Sequence, residues 1–346
     1  MKIDRIHFYT RDAAKTKDWF IRNVGFNAIA NDKNEHTHTE VISLNSACLV
    51  FSSPLTSSSP VAKYLDSHPS GVADIAFRVK NIQSVVDRAY SLGLEVFQPP
   101  QTNSNGGKFK QAVIQGWNSL RHTLIEDTVS ASEYYLPKIK PDKTVSSYDF
   151  NINNIDHIVL NVAIGKLNSA VELYQSLFDF KIQQSFDIKT AKSGLYSQAL
   201  VNDDGQVQFN INEPTSNNSQ IQEFINFNGG SGIQHLALRT RNLVADVGQM
   251  QRNGVGFLAI PQTYYSNIKS SINLSMDEWQ EIAQKQILVE RDRNNPQSLL
   301  MQIFTKPIFE QPTFFLEFIE RRQGAKGFGQ GNFKALFEAV EREQAS

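Results

Sequence analysis

Gly232-Ile233-Gln234-His235-Leu236-Ala237-Leu238-Arg239 decides the fold, because the chain carries its pattern twice. Gly71-Val72-Ala73-Asp74-Ile75-Ala76-Phe77-Arg78 is the other copy, 232 − 71 = 161 residues earlier. Both are rich in β-branched, aromatic and small apolar residues, the composition of a buried strand. Both continue through an asparagine (Asn81-Ile82, Asn242-Leu243) into a helix-like segment, then through a glycine turn, Gly93-Leu94-Glu95-Val96 or Gly254-Val255-Gly256-Phe257. A second pair lies upstream of each: Ile3-Asp4-Arg5-Ile6-His7-Phe8 and Ile155-Asp156-His157-Ile158-Val159-Leu160, offset by 155 − 3 = 152. Repetition on this scale marks repeated structural units. Four βαβββ units are therefore expected, opening near residues 3, 71, 155 and 232. The fold class is α+β: mostly antiparallel sheets forming two open barrel-like halves around a cavity, with helices outside.

The polar, proline-bearing stretch from Leu136 to Asn154 reads as a linker. The expected domains are a non-catalytic half at 1–136 and a catalytic half at 150–346. Ser270 to Lys285 reads as a helix. Near the C-terminus, Gly327, Gly329 and Gly331 precede a run in which Phe333, Leu336, Phe337 and Val340 fall on one helical face. Such a helix needs an apolar partner to pack on.

Charge and composition exclude several functions. Lysine and arginine total 34 against 35 acidic residues, for a net charge of −1. Such a balance makes no electrostatic case for nucleic acid or an anionic membrane. No run of about 18 apolar residues is present, so a cytoplasmic protein is expected. The single cysteine, Cys48, rules out an intramolecular disulfide or a thiolate cage. It sits in Ala47-Cys48-Leu49-Val50-Phe51 and reads as an inert core thiol.

The halves differ at informative places. His157 aligns with Arg5, and His235 with Asp74. Glu317 stands in the apolar run Phe314-Phe315-Leu316-Glu317-Phe318-Ile319, where an ionised carboxylate is costly unless a cation meets it. Leu124-Ile125-Glu126 reads as its weaker echo in the first half. Only the second half assembles two imidazoles and a carboxylate, at spacings of 235 − 157 = 78 and 317 − 235 = 82. Two histidines and one carboxylate with open positions suit non-haem Fe(II) oxygenases. A lone histidine on an apolar strand is more often a hydrogen-bonded core residue, but two at repeat-equivalent strand starts favour a ligand set. The residues alone leave Fe, Mn and Zn open.

The second half resembles the 4-hydroxyphenylpyruvate dioxygenase family of the vicinal oxygen chelate superfamily. The resemblance runs through Ile155-Asp156-His157, Asn212-Glu213-Pro214, Gly232-Ile233-Gln234-His235, Pro261 to Tyr265, Gln302-Ile303-Phe304-Thr305-Lys306-Pro307, and Gly327-Phe328-Gly329 through Phe337. It is strong from about residue 150 to 343 and weak in the first half. It implies Fe(II) on His157, His235 and Glu317. It also implies conversion of 4-hydroxyphenylpyruvate and O2 to homogentisate and CO2, by oxidative decarboxylation, ring hydroxylation and side-chain migration. The setting would be tyrosine catabolism or quinone and tocopherol supply, and a homo-oligomer, dimer or tetramer, is implied. Phe304, Phe315, Phe328 and Phe333 would form the ring pocket, and the segment Gly327 to Glu343 would be a lid closing Phe328 and Phe333 over the ring. Ser197, Asn212, Gln220, Gln234 and Gln302 would supply its polar contacts.

Two departures stand out. Asn210 occupies a pocket position where the family usually has proline, and Met301 stands between Leu300 and Gln302 where the family usually runs Leu-Leu-Gln. Two other readings compete. A 4-hydroxymandelate synthase would use the same substrate and metal; Phe315 and Asn212 argue for ring attack instead. A non-redox small-molecule-binding protein of the same superfamily would have no need of the triad.

Overall fold

The computed structural model describes residues 1–102, 109–126, 140–141, 144–189, 194–269, 272, 274–292, 295–329, 331–332 and 335. The first half runs β1 (Lys2–Tyr9), α1 (Ala13–Val24), β2 (Asn27–Lys33), β3 (Thr37–Leu44), β4 (Ala47–Pro54), α2 (Pro60–Leu65), β5 (Gly71–Arg78), α3 (Ile82–Ser91), β6 (Val96–Thr102), β7 (Lys110–Gln115) and β8 (Arg121–Glu126). A short β9 (Lys140–Pro141) follows. The second half runs β10 (Ile152–Asn161), α4 (Leu167–Phe178), β11 (Lys181–Lys189), β12 (Gly194–Val201), β13 (Gln208–Pro214), α5 (Gln220–Asn228), β14 (Gly232–Thr240), α6 (Leu243–Arg252), α7 (Gln262–Ile268), α8 (Met276–Gln284), β15 (Leu288–Asp292), β16 (Asn295–Phe304) and β17 (Phe315–Arg322).

The four units are visible in the strand order. One sheet runs β6-β7-β8-β5-β1-β4-β3-β2-β9 and the other β11-β12-β13-β10-β14-β17-β16-β15. In each unit the first and last strands are parallel neighbours: β1 with β4, β5 with β8, β10 with β13, β14 with β17. The two units of a half join through their opening strands, antiparallel: β1 with β5 and β10 with β14. The expected linker adds a two-residue edge strand, with Pro141 and Lys140 of β9 opposite Ala30 and Asn31 of β2.

Local sequence explains the repeat. Asn81 and Asn242 are equivalent N-caps, accepting from Ser84 N and Ala245 N. Ser59 and Ser219 do the same for α2 and α5. Such caps contribute about 1 kcal/mol each. Along β1, Ile6 and Phe8 face the helices while Arg5, His7 and Tyr9 take the other side, the period of two that a sheet imposes. The helix-covered core is continuous between the halves. Phe8 meets Phe314 at 5.1 Å and Phe77 meets Phe178 at 5.0 Å between ring centroids.

Two expectations change. Ser270 to Lys285 is not one helix: α7 ends at Ile268, and α8 starts after Ser275, whose side chain accepts from Glu278 N. The echo of Glu317 is also displaced. Phe77 pairs with Leu124 and its equivalent Leu238 pairs with Phe318, so Thr123 holds the place of Glu317. Glu126 corresponds to Glu320 instead. Their carboxylates do the same work, accepting from Ile82 N and Leu243 N at 2.7 Å each. A lone carboxylate in an apolar run does not reveal its register in a neighbouring copy.

Candidate metal centre

Strand register brings the triad together. His157 on β10 lies opposite Ala237, and Ala237 lies opposite Glu317 on β17. His235 is two residues before Ala237, so all three side chains share one face of the sheet. His157 Nε2 is 3.2 Å from Glu317 Oε2, and His235 Nε2 is 3.5 Å from it. Among the described residues this is the one group of three or more potential ligands, with donor atoms within 4.8 Å of one another, and all three are buried.

Beside His235 the sheet bulges. Val159 pairs with His235 and Leu160 with Ile233, which leaves Gln234 as the extra residue. A bulge re-aims neighbouring side chains, and the first half repeats it at Ala73.

The electrostatics favour positive charge at this point. Burial pushes the His157 imidazole down, but the Glu317 and Asp156 carboxylates reverse this and raise it to about 9. Burial opposes ionisation of Glu317, yet His157 and His235 hold it down at about 2. His235 is lowered by burial. A buried carboxylate this strongly ionised wants a cation, either a proton on imidazole or a metal ion. His157 Nδ1 meets Asp156 Oδ1 at 3.0 Å, leaving Nε2 for a ligand role, the arrangement common around bound metals. Two imidazoles and one carboxylate fit a divalent ion of the Fe(II) type.

Aromatic rings keep the triad dry. Phe315 stacks on His235, with centroids 4.7 Å apart and planes 19° apart. Phe304 meets the same ring edge-on at 6.3 Å. Phe328 stands edge-on to His157 at 5.3 Å. Together with His157, Asn210, His235, Gln302 and Glu317, Phe304 and Phe328 enclose a space of about 10 Å³, room for one ion or water.

Three polar candidates, Ser197, Asn210 and Asn212, fall in register on the same face. Asn210 pairs with Val159 and Ala199, and Asn212 with Asn161 and Ser197. Ser197 Oγ, Asn212 Oδ1, Gln220 Oε1 and both polar atoms of Asn210 are buried without a partner. Gln302 is the exception. Its Nε2 donates to Glu317 Oε1 at 2.9 Å and to the Phe328 carbonyl at 3.2 Å, and its Oε1 accepts from Asn332 at 2.9 Å. Ser197, Asn212, Gln220, Gln234 and Phe315 are buried but do not line the small enclosed space. Phe333 lies outside the described residues, as do Leu336, Phe337 and Val340.

Three participants were not singled out from the sequence. Arg321 grips Asp156, Asn332 holds Gln302, and the Tyr264 hydroxyl lies 2.8 Å from Asn332 Oδ1. Their signal was present but weak: Asp156 precedes the histidine as Asp4 precedes Arg5, and Tyr264 and Asn332 lie in the segments that carried the resemblance.

The pattern of the Glyoxalase/Bleomycin resistance protein/Dioxygenase superfamily matches residues 2–116 and 154–274. The 4-hydroxyphenylpyruvate dioxygenase of Dictyostelium discoideum is 33% identical over 365 residues, covering 99% of this chain and 97% of that protein. The chain belongs to this superfamily and to its 4-hydroxyphenylpyruvate dioxygenase family. An uncharacterized protein of Synechocystis sp. is 35% identical, covering 99% of this chain and 97% of its own length. Among solved structures, a triple mutant of 4-hydroxymandelate synthase from Streptomyces coelicolor superposes with a TM-score of 0.86 at 28% identity, over 99% of this chain and 98% of that one. The family similarity spans both halves, further than the motifs alone suggested. The chain is an enzyme of the 4-hydroxyphenylpyruvate dioxygenase type. No helix among the described residues is long and apolar enough to cross a membrane.

Proposed function

We propose that this enzyme converts 4-hydroxyphenylpyruvate and O2 to homogentisate and CO2, with Fe(II) held by His157, His235 and Glu317. The observation that carries this reading is the triad itself, buried behind phenylalanine rings and bordered by unpartnered amide and hydroxyl groups. When bound, Fe(II) would supply chelation of the α-keto acid head and activation of O2. The side chains do the rest. Phe315 and Phe304 present apolar surface to an aromatic ring, and Ser197 and Asn212 offer hydrogen bonds to its hydroxyl. Phe328 and Gln302 close the site and exclude water.

The similarity to a 4-hydroxymandelate synthase keeps a second outcome in view, attack at the benzylic carbon of the same substrate. Product analysis separates the two. Enzyme loaded anaerobically with Fe(II), given 4-hydroxyphenylpyruvate and then O2, should yield homogentisate by chromatography. A dominant 4-hydroxymandelate peak would replace this reading with the other.

A further inference from the structure

Asn210 is 1% exposed, and neither its Oδ1 nor its Nδ2 has a hydrogen-bond partner among the described residues. Its lateral neighbours, Val159 on β10 and Ala199 on β12, have no polar side-chain atom to offer. Leaving buried amide groups unpaired is destabilising. Leucine has nearly the same shape and would avoid that cost. The carboxamide points to a role, and its position narrows the role: it lines the small enclosed space with His157, His235 and Glu317.

We propose that Asn210 is a positioning residue for the chelating head of the substrate, with Nδ2 donating to an oxygen of the α-keto acid group. The assignment rests on the α-keto acid reading above. The part of the substrate that reaches a space walled by all three ligand residues is the part that binds the cation. That part is an anion with acceptors only, so it calls for a donor. Asn212 and Ser197 stand further along the same face and serve the remainder of the molecule.

The test compares wild type with Asn210→Leu. Both are loaded anaerobically with Fe(II) and titrated with 4-hydroxyphenylpyruvate and with phenylpyruvate, following the charge-transfer absorption of the chelate. Co(II) affinity is measured in parallel. Loss of a hydrogen bond to an anion should weaken both keto acids alike, by about 10- to 100-fold. Co(II) affinity should stay within about twofold of wild type. Asn210→Ala is read the same way if the leucine variant fails to fold. Equal keto-acid affinity in wild type and variant overturns the assignment. So does a loss confined to 4-hydroxyphenylpyruvate, which would place Asn210 at the ring hydroxyl, or a parallel loss of Co(II). Absence of chelate absorption in wild type would overturn the α-keto acid reading itself, and the assignment with it.

Discussion

Arg321 holds Asp156 through two side-by-side hydrogen bonds, Nε to Oδ2 at 2.8 Å and Nη2 to Oδ1 at 2.7 Å. The same guanidinium donates through Nη1 to the Gly327 carbonyl at 2.7 Å. Asp156 in turn meets His157 Nδ1. One side chain therefore orients a metal-ligand candidate and pins the turn that carries Phe328 over it. The fork geometry matters here, because lysine can supply the charge but not the paired bonds.

The first prediction follows from that clamp. Arg321→Lys should bind Co(II) about 10- to 100-fold more weakly, the usual cost of disturbing a partner of a metal-bound histidine. It should also expose the bond near Gly327 to limited proteolysis. Removing the charge altogether, as in Arg321→Ala, strands a buried carboxylate and should destabilise by about 3–5 kcal/mol. Unchanged Co(II) affinity in the lysine variant would show that the clamp does not reach His157.

The triad gives a second prediction. His157→Ala, His235→Ala and Glu317→Ala should each lose stoichiometric Fe(II) and all turnover. His157→Ala and His235→Ala should retain a native circular dichroism spectrum. Iron content by mass spectrometry checks the first part and oxygen uptake the second. Full activity in any one of the three would remove that residue from the ligand set.

A third prediction concerns closure. Phe328 lines both the 10 Å³ space at the triad and an outer cleft of about 1080 Å³ that includes Tyr264, Leu300 and Asn332. An aromatic substrate does not fit the inner space, so its entry is expected to require Phe328 and its segment to swing out and return. Gly329 has φ +74°, and a Cβ there would come within 2.0 Å of Gln302 Oε1. Gly329→Ala should therefore cost about 1–3 kcal/mol of local strain and break the Gln302 contacts that close the wall. The expected readout is oxygen consumption exceeding homogentisate formation, because an open site admits water. Truncation before Gly327 should uncouple the reaction in the same way while leaving Fe(II) binding in place. Tight coupling in both proteins would argue that this segment is a fixed wall.

The first half gives the fourth. Asp74, in the place of His235, is buried and accepts from Thr123 Oγ1 at 2.9 Å. Burial raises its carboxyl to about 6 against the pull of Arg5, Thr123 and Arg121. His7 lies opposite in register and is pushed down to about 3 by burial, Arg5 and Arg121, so it carries no opposing charge at neutral pH. Tyr9 is the other titratable neighbour. A carboxyl raised from about 3.9 in the unfolded chain binds its proton more tightly when folded. Its contribution is present below pH 4 and is lost as pH rises through about 6. Asp74→Asn should thus be more stable than wild type at pH 8, by up to about 3 kcal/mol, with the difference closing towards pH 4. Urea midpoints at the two pH values measure it, and equal midpoints at pH 8 would contradict the buried charge.

Sequence alone determined the repeated units, the α+β class and the three ligand candidates. Those properties are written locally: strands announce themselves by composition, repeats by self-similarity, and His157, His235 and Glu317 by being chemically out of place in apolar runs. Tertiary structure decided what depends on register and on contacts between distant segments. The correspondence of Thr123, not Glu126, with Glu317 needed the β5–β8 and β14–β17 pairings. The clamp of Arg321 on Asp156 joins residues 165 apart in the chain, and the Gln302–Asn332 bond joins residues 30 apart. No periodicity predicts such meetings, because a side chain's partner across a sheet is set by which strands pair and where a bulge falls, and both are settled only when the whole sheet closes.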